Sequence, residues 1–153
     1  MRETDLSDSF GRRRRVLVIE DDKDTRLAIL DTLRVLGLVD VVAVATGAAA
    51  LDAMIENPRG FPVAIVDIFL PDMTAKAMAK SFPATHGIKT LILYSGGRGD
   101  AFAAVRAVFE RLGISNIHYL KKPATVEQFQ KLLDSPRGVP SAALPQPNAE
   151  GGS

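Results

Sequence analysis

Short unbroken apolar runs alternate with longer amphipathic stretches through the middle of the chain. Val16–Ile19 is wholly apolar, Val39–Ala45 is apolar apart from Asp40, and Val63–Val66, Leu91–Tyr94 and Ile117–Leu120 repeat the pattern. Each run is too short for a buried helix and reads as a strand covered on both faces. Between the runs the spacing becomes helical. Leu27, Leu30, Leu33 and Leu36 form one stripe, and Ala48, Leu51 and Ile55 follow Thr46, a candidate N-cap. Phe102, Val105, Phe109 and Leu112 recur at helical spacing. Thr125-Val-Glu-Gln128 matches a capping box, with Val126, Phe129 and Leu133 on one face. Pro71–Lys80 carries the weakest helical pattern, short and rich in Met and Ala. Five strands alternating with helices predict a doubly wound (βα)5 α/β domain, a parallel five-stranded sheet with helices on both faces.

The ends depart from this pattern. Residues 1–13 are polar and aperiodic, and the cations Arg12–Arg15 lead into the first apolar run. That run of cations reads as a solvated flank. Residues 135–153 are rich in Pro, Gly, Ser and Ala, too poor in apolar surface to offset the entropy of ordering. A disordered arm (1–13), a folded domain (14–134) and a disordered tail (135–153) are therefore expected. With so short a tail, no attached output module is expected.

Composition narrows the chemistry. Of 153 residues, 19 are Lys or Arg and 18 Asp or Glu, a net charge of +1. Near-neutrality argues against a dedicated nucleic-acid binder, which depends on many phosphate-neutralising cations. With no cysteine, disulfides, zinc ribbons, iron–sulfur clusters and thiol nucleophiles are excluded, and a reducing compartment, the cytoplasm, is expected. His86 and His118 alone do not suggest a zinc or haem site, and His118 is expected at the rim of the sheet. No apolar run approaches the roughly 18 residues of a membrane span.

In doubly wound sheets, ligands bind beyond the C-terminal ends of the strands, near the topological switch point. The first run ends in Glu20-Asp21-Asp22, the third in Asp67, the fourth in Ser95-Gly96-Gly97, and the fifth leads into Lys121-Lys122-Pro123. Three or four carboxylates, a hydroxyl and one or two lysines thus converge on one rim. Clustered carboxylates call for a hard cation or raised pKa values, and a sparse carboxylate cage suits Mg²⁺ completed by a phosphoryl oxygen. The hydroxyl, the Ser-Gly-Gly amides and an ammonium supply donors for the other phosphoryl oxygens. Asp67, alone at the end of a central strand, is a candidate nucleophile.

The segments Val-Leu-Val-Ile-Glu-Asp-Asp, Ile-Val-Asp67-Ile-Phe-Leu-Pro-Asp-Met, Leu-Tyr-Ser95-Gly and Tyr119-Leu-Lys-Lys122-Pro123 resemble the receiver domain of two-component response regulators. The resemblance spans essentially all of Arg14–Leu133 and implies a flavodoxin-like sheet of strand order 2-1-3-4-5. It implies that Asp67 accepts a phosphoryl group from a sensor histidine kinase or a histidine phosphotransfer protein. The family's first-helix arginine lies five residues past the second acid, so Arg26 points to Glu20 and Asp21 as the metal pair and leaves Asp22 as a helix cap. Mg²⁺, or Mn²⁺ in its place, would be held by Glu20, Asp21, Asp67 and the backbone carbonyl of Phe69. Lys122, Ser95 and Gly96 would bind the phosphoryl group, Ser95 and Tyr119 would act as the switch pair, and the Lys122–Pro123 bond would be cis. The signal would leave through the face of the fourth helix, fifth strand and fifth helix to a protein target, with a homodimer also in view.

The implied protein is a single-domain phosphoacceptor switch rather than an enzyme, beyond promoting its own phosphorylation and dephosphorylation. A Mg²⁺-dependent phosphatase with Asp67 as nucleophile is the competing reading, although Phe69 stands where its general acid would be needed. A degenerate receiver acting only as a binding module is another. Two features depart from the family. Thr74-Ala75 replaces a usual glycine, which could reroute the loop after Asp67, and the bulk of Phe69 would shield an acyl phosphate from water.

Overall fold

Side-chain alternation along five strands assigns each residue to one of two helical layers. The computed structural model describes residues 14–82, 87–97 and 101–134, without the side chains of 75 and 76. The expected arm 1–13, the tail 135–153 and His86 lie outside the described residues. The strands are β1 (Val16–Ile19), β2 (Val41–Val44), β3 (Val63–Asp67), β4 (Thr90–Ser95) and β5 (Asn116–Lys121). All pair in parallel in the order β2-β1-β3-β4-β5, as expected. The helices are α1 (Lys23–Val35), α2 (Gly47–Glu56), α3 (Ala75–Ser81), α4 (Phe102–Glu110) and α5 (Val126–Asp134).

Leu17 and Ile19 of β1 join a core with Ala50 and Met54 of α2, Met78 of α3 and Phe109 of α4. Their neighbours Val16 and Val18 join a second core with Ile29 and Leu33 of α1 and Phe129 and Leu133 of α5. The period of two in the strands thus builds a three-layer sandwich with α1 and α5 on one side. The chain changes sides where β1 lies between β2 and β3, and that crevice holds the acids described below.

Two helical stripes are rotated relative to the expectation. On α1 the buried positions are Ile29 and Leu33, and Leu27 is exposed. On α2, Gly47, Ala50, Ala53 and Met54 are buried, whereas Ile55 is 75% exposed. Both segments carry apolar residues around much of their circumference, so the sequence leaves their rotational phase open. Strand β2 is shorter than the run 39–45 and only half-buried, because it is a sheet edge, and Val39 is left exposed. The capping box forms as read: Thr125 N donates to Gln128 Oε1 at 2.8 Å and Gln128 N to Thr125 Oγ1 at 3.1 Å. Helix α1 ends on Gly37, whose φ of 86° is a left-handed conformation that glycine adopts without a Cβ penalty.

The basic run is not simply a solvated flank. Arg14 Nη2 donates to the Leu133 carbonyl at 2.8 Å, at the C-terminal end of α5, where a cation also offsets the helix dipole. Arg15 reaches Asp40 at 3.2 Å and Asn57 Oδ1 at 2.9 Å, joining the start of β2 to the end of α2. His118 is also misplaced by the sequence reading. It is completely buried on β5, and neither ring nitrogen has a hydrogen-bond partner. Burial, reinforced by the charge of Arg106, holds its pKa below the ordinary histidine value.

Candidate functional site

Three strands bring acids and a hydroxyl to one rim because each ends at the same level. Asp67 closes β3 and pairs in register with Tyr94 of β4, one residue before Ser95. Glu20 follows β1, and its N–H is held by Val44 O at 3.0 Å. Arg26 fixes the next turn, with Nη1 donating to Glu20 O at 2.9 Å. Asp22 caps α1: its carboxylate accepts from Thr25 N at 2.8 Å and Thr25 Oγ1 at 2.7 Å, and these bonds hold its pKa low.

Carboxylate oxygens of Glu20, Asp21 and Asp67 all lie within 4.8 Å of one another. Glu20 and Asp67 are buried, whereas Asp21 is exposed. Lys122 Nζ enters this cluster 2.7 Å from Glu20 Oε1 and 3.4 Å from Asp67 Oδ2. It also sits 5.4 Å from the ring centroid of Tyr94. Burial pulls the Lys122 pKa down, but Glu20 and Asp67 outweigh it and the net shift is upward. Burial, joined by the charge of Glu20 and by Asp21, lifts Asp67 to a pKa of about 6 against the opposing pull of the Phe69 amide and Lys122. Three carboxylates facing one ammonium leave negative charge uncompensated. Oxygen donors so placed fit a hard divalent cation.

Ser95 is fully buried, and its Oγ accepts from Gly97 N at 3.1 Å. Gly96 stands beside the stem of Lys122. Tyr119 Oη donates to the carbonyl of the same Gly97 at 3.2 Å, and its ring lies 5.4 Å from that of Phe102 on α4. The Lys122–Pro123 peptide is cis. Lys121 points to solvent.

The loop after Asp67 needs no glycine. Phe69 N donates to Asp67 Oδ1 at 2.9 Å, and Phe69 and Thr74 form an antiparallel bridge. Thr74 is extended (φ −75°, ψ 159°) and caps α3, its Oγ1 accepting from Ala77 N at 3.0 Å. The Phe69 side chain is 59% exposed. Sequence reasoning used Arg26 only to set register and missed its clamp on Glu20. It also missed Tyr94, whose hydroxyl accepts from Ala124 N at 3.0 Å and steadies the turn after the cis bond. A groove of about 260 Å³ opens next to Lys122, between Asp24, Ala28 and Thr32 of α1 and Pro123 and Ala124.

No protein-family model matches the chain. It is 27% identical over 131 residues to a chemotaxis protein CheY homolog of Campylobacter jejuni, covering 83% of this chain and 95% of that relative. A CheY-like response regulator receiver domain from Methylobacillus flagellatus matches at a TM-score of 0.64 and 26% identity, over 80% of this chain and 97% of that one. The chain has the fold of CheY-like receiver domains. The receiver domain of a sensor histidine kinase from Pseudomonas aeruginosa PAO1, described with a magnesium ion in its active-site cleft, shares the fold at a TM-score of 0.60 and 23% identity, over 78% of this chain and 93% of that one. No helix among the described residues is long and apolar enough to cross a membrane.

Proposed function

We propose that this receiver is a phosphorylation-dependent switch that takes a phosphoryl group on Asp67 from the phosphohistidine of a sensor kinase or phosphotransfer protein. The observation that carries this reading is the position of Lys122 Nζ, paired with Asp67 and Glu20 inside the three-carboxylate cluster. Glu20, Asp21 and Asp67, with the Phe69 carbonyl, are the donors for a Mg²⁺ ion. Such an ion supplies Lewis-acid neutralisation of charge on phosphoryl oxygens.

An Asp67 carboxylate oxygen attacks phosphorus in line as the P–N bond to the donor imidazole breaks. The departing imidazole keeps the bonding electron pair and takes up a proton, and the product on Asp67 is a mixed anhydride. Lys122 holds the charge spread over the equatorial oxygens, and positioning supplies most of the acceleration. Attack needs Asp67 in its anionic form, and burial, by raising its pKa to about 6, disfavours that form before a cation binds. Lys122 and the cation both favour that form.

Gly97 is the point through which the switch acts. Its amide is bonded to Ser95 Oγ and its carbonyl to Tyr119 Oη. A phosphoryl oxygen that recruits Ser95 Oγ and the Gly96 N–H breaks the first bond and loosens the second. Tyr119, freed from Gly97 while still packed on Phe102, then changes the surface of α4, β5 and α5 that a protein target reads. The protein acts as a phosphoacceptor and not as a turnover enzyme.

The test is to incubate the protein with Mg²⁺ and a small acyl phosphate or phosphoramidate and weigh it. A single phosphoryl adduct, absent in Asp67→Asn, is the expected result. Absence of an adduct with every donor, or steady phosphate release from simple esters, overturns the reading.

A further inference from the structure

The loop after Asp67 is tied to a distant helix by contacts that the phosphoryl chemistry does not use. Asp72 Oδ1 accepts from Gly47 N at 2.9 Å and Oδ2 from Ala48 N at 3.1 Å, so one carboxylate spans the first two amides of α2. The helix has its own cap, because Thr46 Oγ1 accepts from Ala49 N at 3.0 Å. Asp72 therefore does more than start α2: it fastens the loop. Met73 completes the attachment. A Cβ on Gly47 would lie 2.5 Å from Met73 Cγ, so glycine is what allows the methionine to seat there. The Phe69–Thr74 bridge and the Phe69 N–Asp67 Oδ1 bond hold the near end of the loop. On the other side, α2 follows β2, whose Val44 carbonyl holds the Glu20 amide. The fastening thus spans both walls of the carboxylate cluster.

We infer that Asp72 and Met73, seated on Gly47, latch the loop bearing Phe69 to the N-terminus of α2 and thereby set the cation affinity of the site. The inference rests on the cation reading above. Both residues are positioning residues, since neither touches the carboxylate cluster. Hydrogen bonds from the two amides keep Asp72 anionic well below the usual carboxylate range, so the latch stays charged at working pH. Residues that orient ligands from outside the coordination shell commonly change metal affinity about tenfold or more when removed.

Calorimetric titration of the full chain with Mg²⁺ tests the latch. Asp72→Ala and Gly47→Ala each weaken Mg²⁺ binding by about tenfold, and Asp72→Asn, which keeps one acceptor oxygen, recovers part of the loss. Thr46→Ala removes a cap of the same helix without freeing the loop and leaves the affinity unchanged. By linkage, Mg²⁺ slows amide exchange at Gly47 and Ala48 in the wild-type protein. Unchanged affinity in Asp72→Ala, or an equal loss in Thr46→Ala, overturns the latch alone. Failure of the wild-type protein to bind Mg²⁺ overturns the cation reading and the latch with it.

Discussion

Replacing Asp67 with Asn is expected to stabilise the metal-free protein, even though it removes the proposed phosphoacceptor. Folding raises the pKa of this carboxyl from 3.8 to about 6. The folded protein therefore binds the proton more tightly than the unfolded chain. Below pH 4 both states are protonated and the group costs nothing. The cost grows as the pH rises between 4 and 6 and is complete above pH 6. At about 1.4 kcal/mol per pKa unit the displacement corresponds to about 3 kcal/mol, which solvent screening at the open rim reduces to about 2 kcal/mol. Asn keeps the shape and can still accept from the Phe69 amide, while relieving the repulsion with Glu20. Urea denaturation in chelator at pH 7.5 should show the variant about 2 kcal/mol more stable, and at pH 4 the two curves should coincide. Adding Mg²⁺ should stabilise the wild-type protein alone, closing the gap. A variant that is no more stable at pH 7.5, or one whose advantage persists at pH 4, refutes the assigned cost.

Further outcomes follow from the same geometry. Lys122→Met leaves buried Glu20 and Asp67 without their cation and should lower stability by about 2 kcal/mol in chelator, with Mg²⁺ restoring more to the variant than to the wild-type protein, as read by urea midpoints. Because His118 is buried with its pKa lowered, stability falls as the pH drops through the unfolded value near 6.5. His118→Leu should remove that loss, so its advantage in urea midpoint should widen between pH 7 and pH 5. Phe109→Ala empties a fully buried site packed edge-on against Phe82 and should cost about 3–5 kcal/mol, measured by circular dichroism melts.

The sheet and its rim were legible because they depend on local signals. Unbroken runs such as Val63–Val66 leave little choice but a doubly covered strand, and Asp67 marks where the apolar run stops. The Thr125–Gln128 cap and the Asp22 cap were legible for the same reason, since cap and partner lie three residues apart. Helical phase was not. Ile29 and Met54 face the core in place of Leu27 and Ile55 because packing against the sheet and neighbouring helices chooses among several apolar faces. Long-range polar contacts were also beyond reach. Nothing around Asp72 marks its partner 25 residues away, and nothing in the short run Ile117–Leu120 reveals that His118 is sealed without a hydrogen bond.

Tyr94 and Tyr119 are the two tyrosines of a chain that has no tryptophan. One lies against the Lys122 ammonium and the other is tied to Gly97, so both fluorophores belong to the same rim. Near-ultraviolet circular dichroism reports fixed aromatic packing, and in the tyrosine band, at longer wavelength than the phenylalanine bands, it reads almost nothing but this site. The unlabelled protein carries its own spectroscopic reporter, and Tyr94→Phe and Tyr119→Phe divide the signal between the lysine side and the Gly97 side of the pocket.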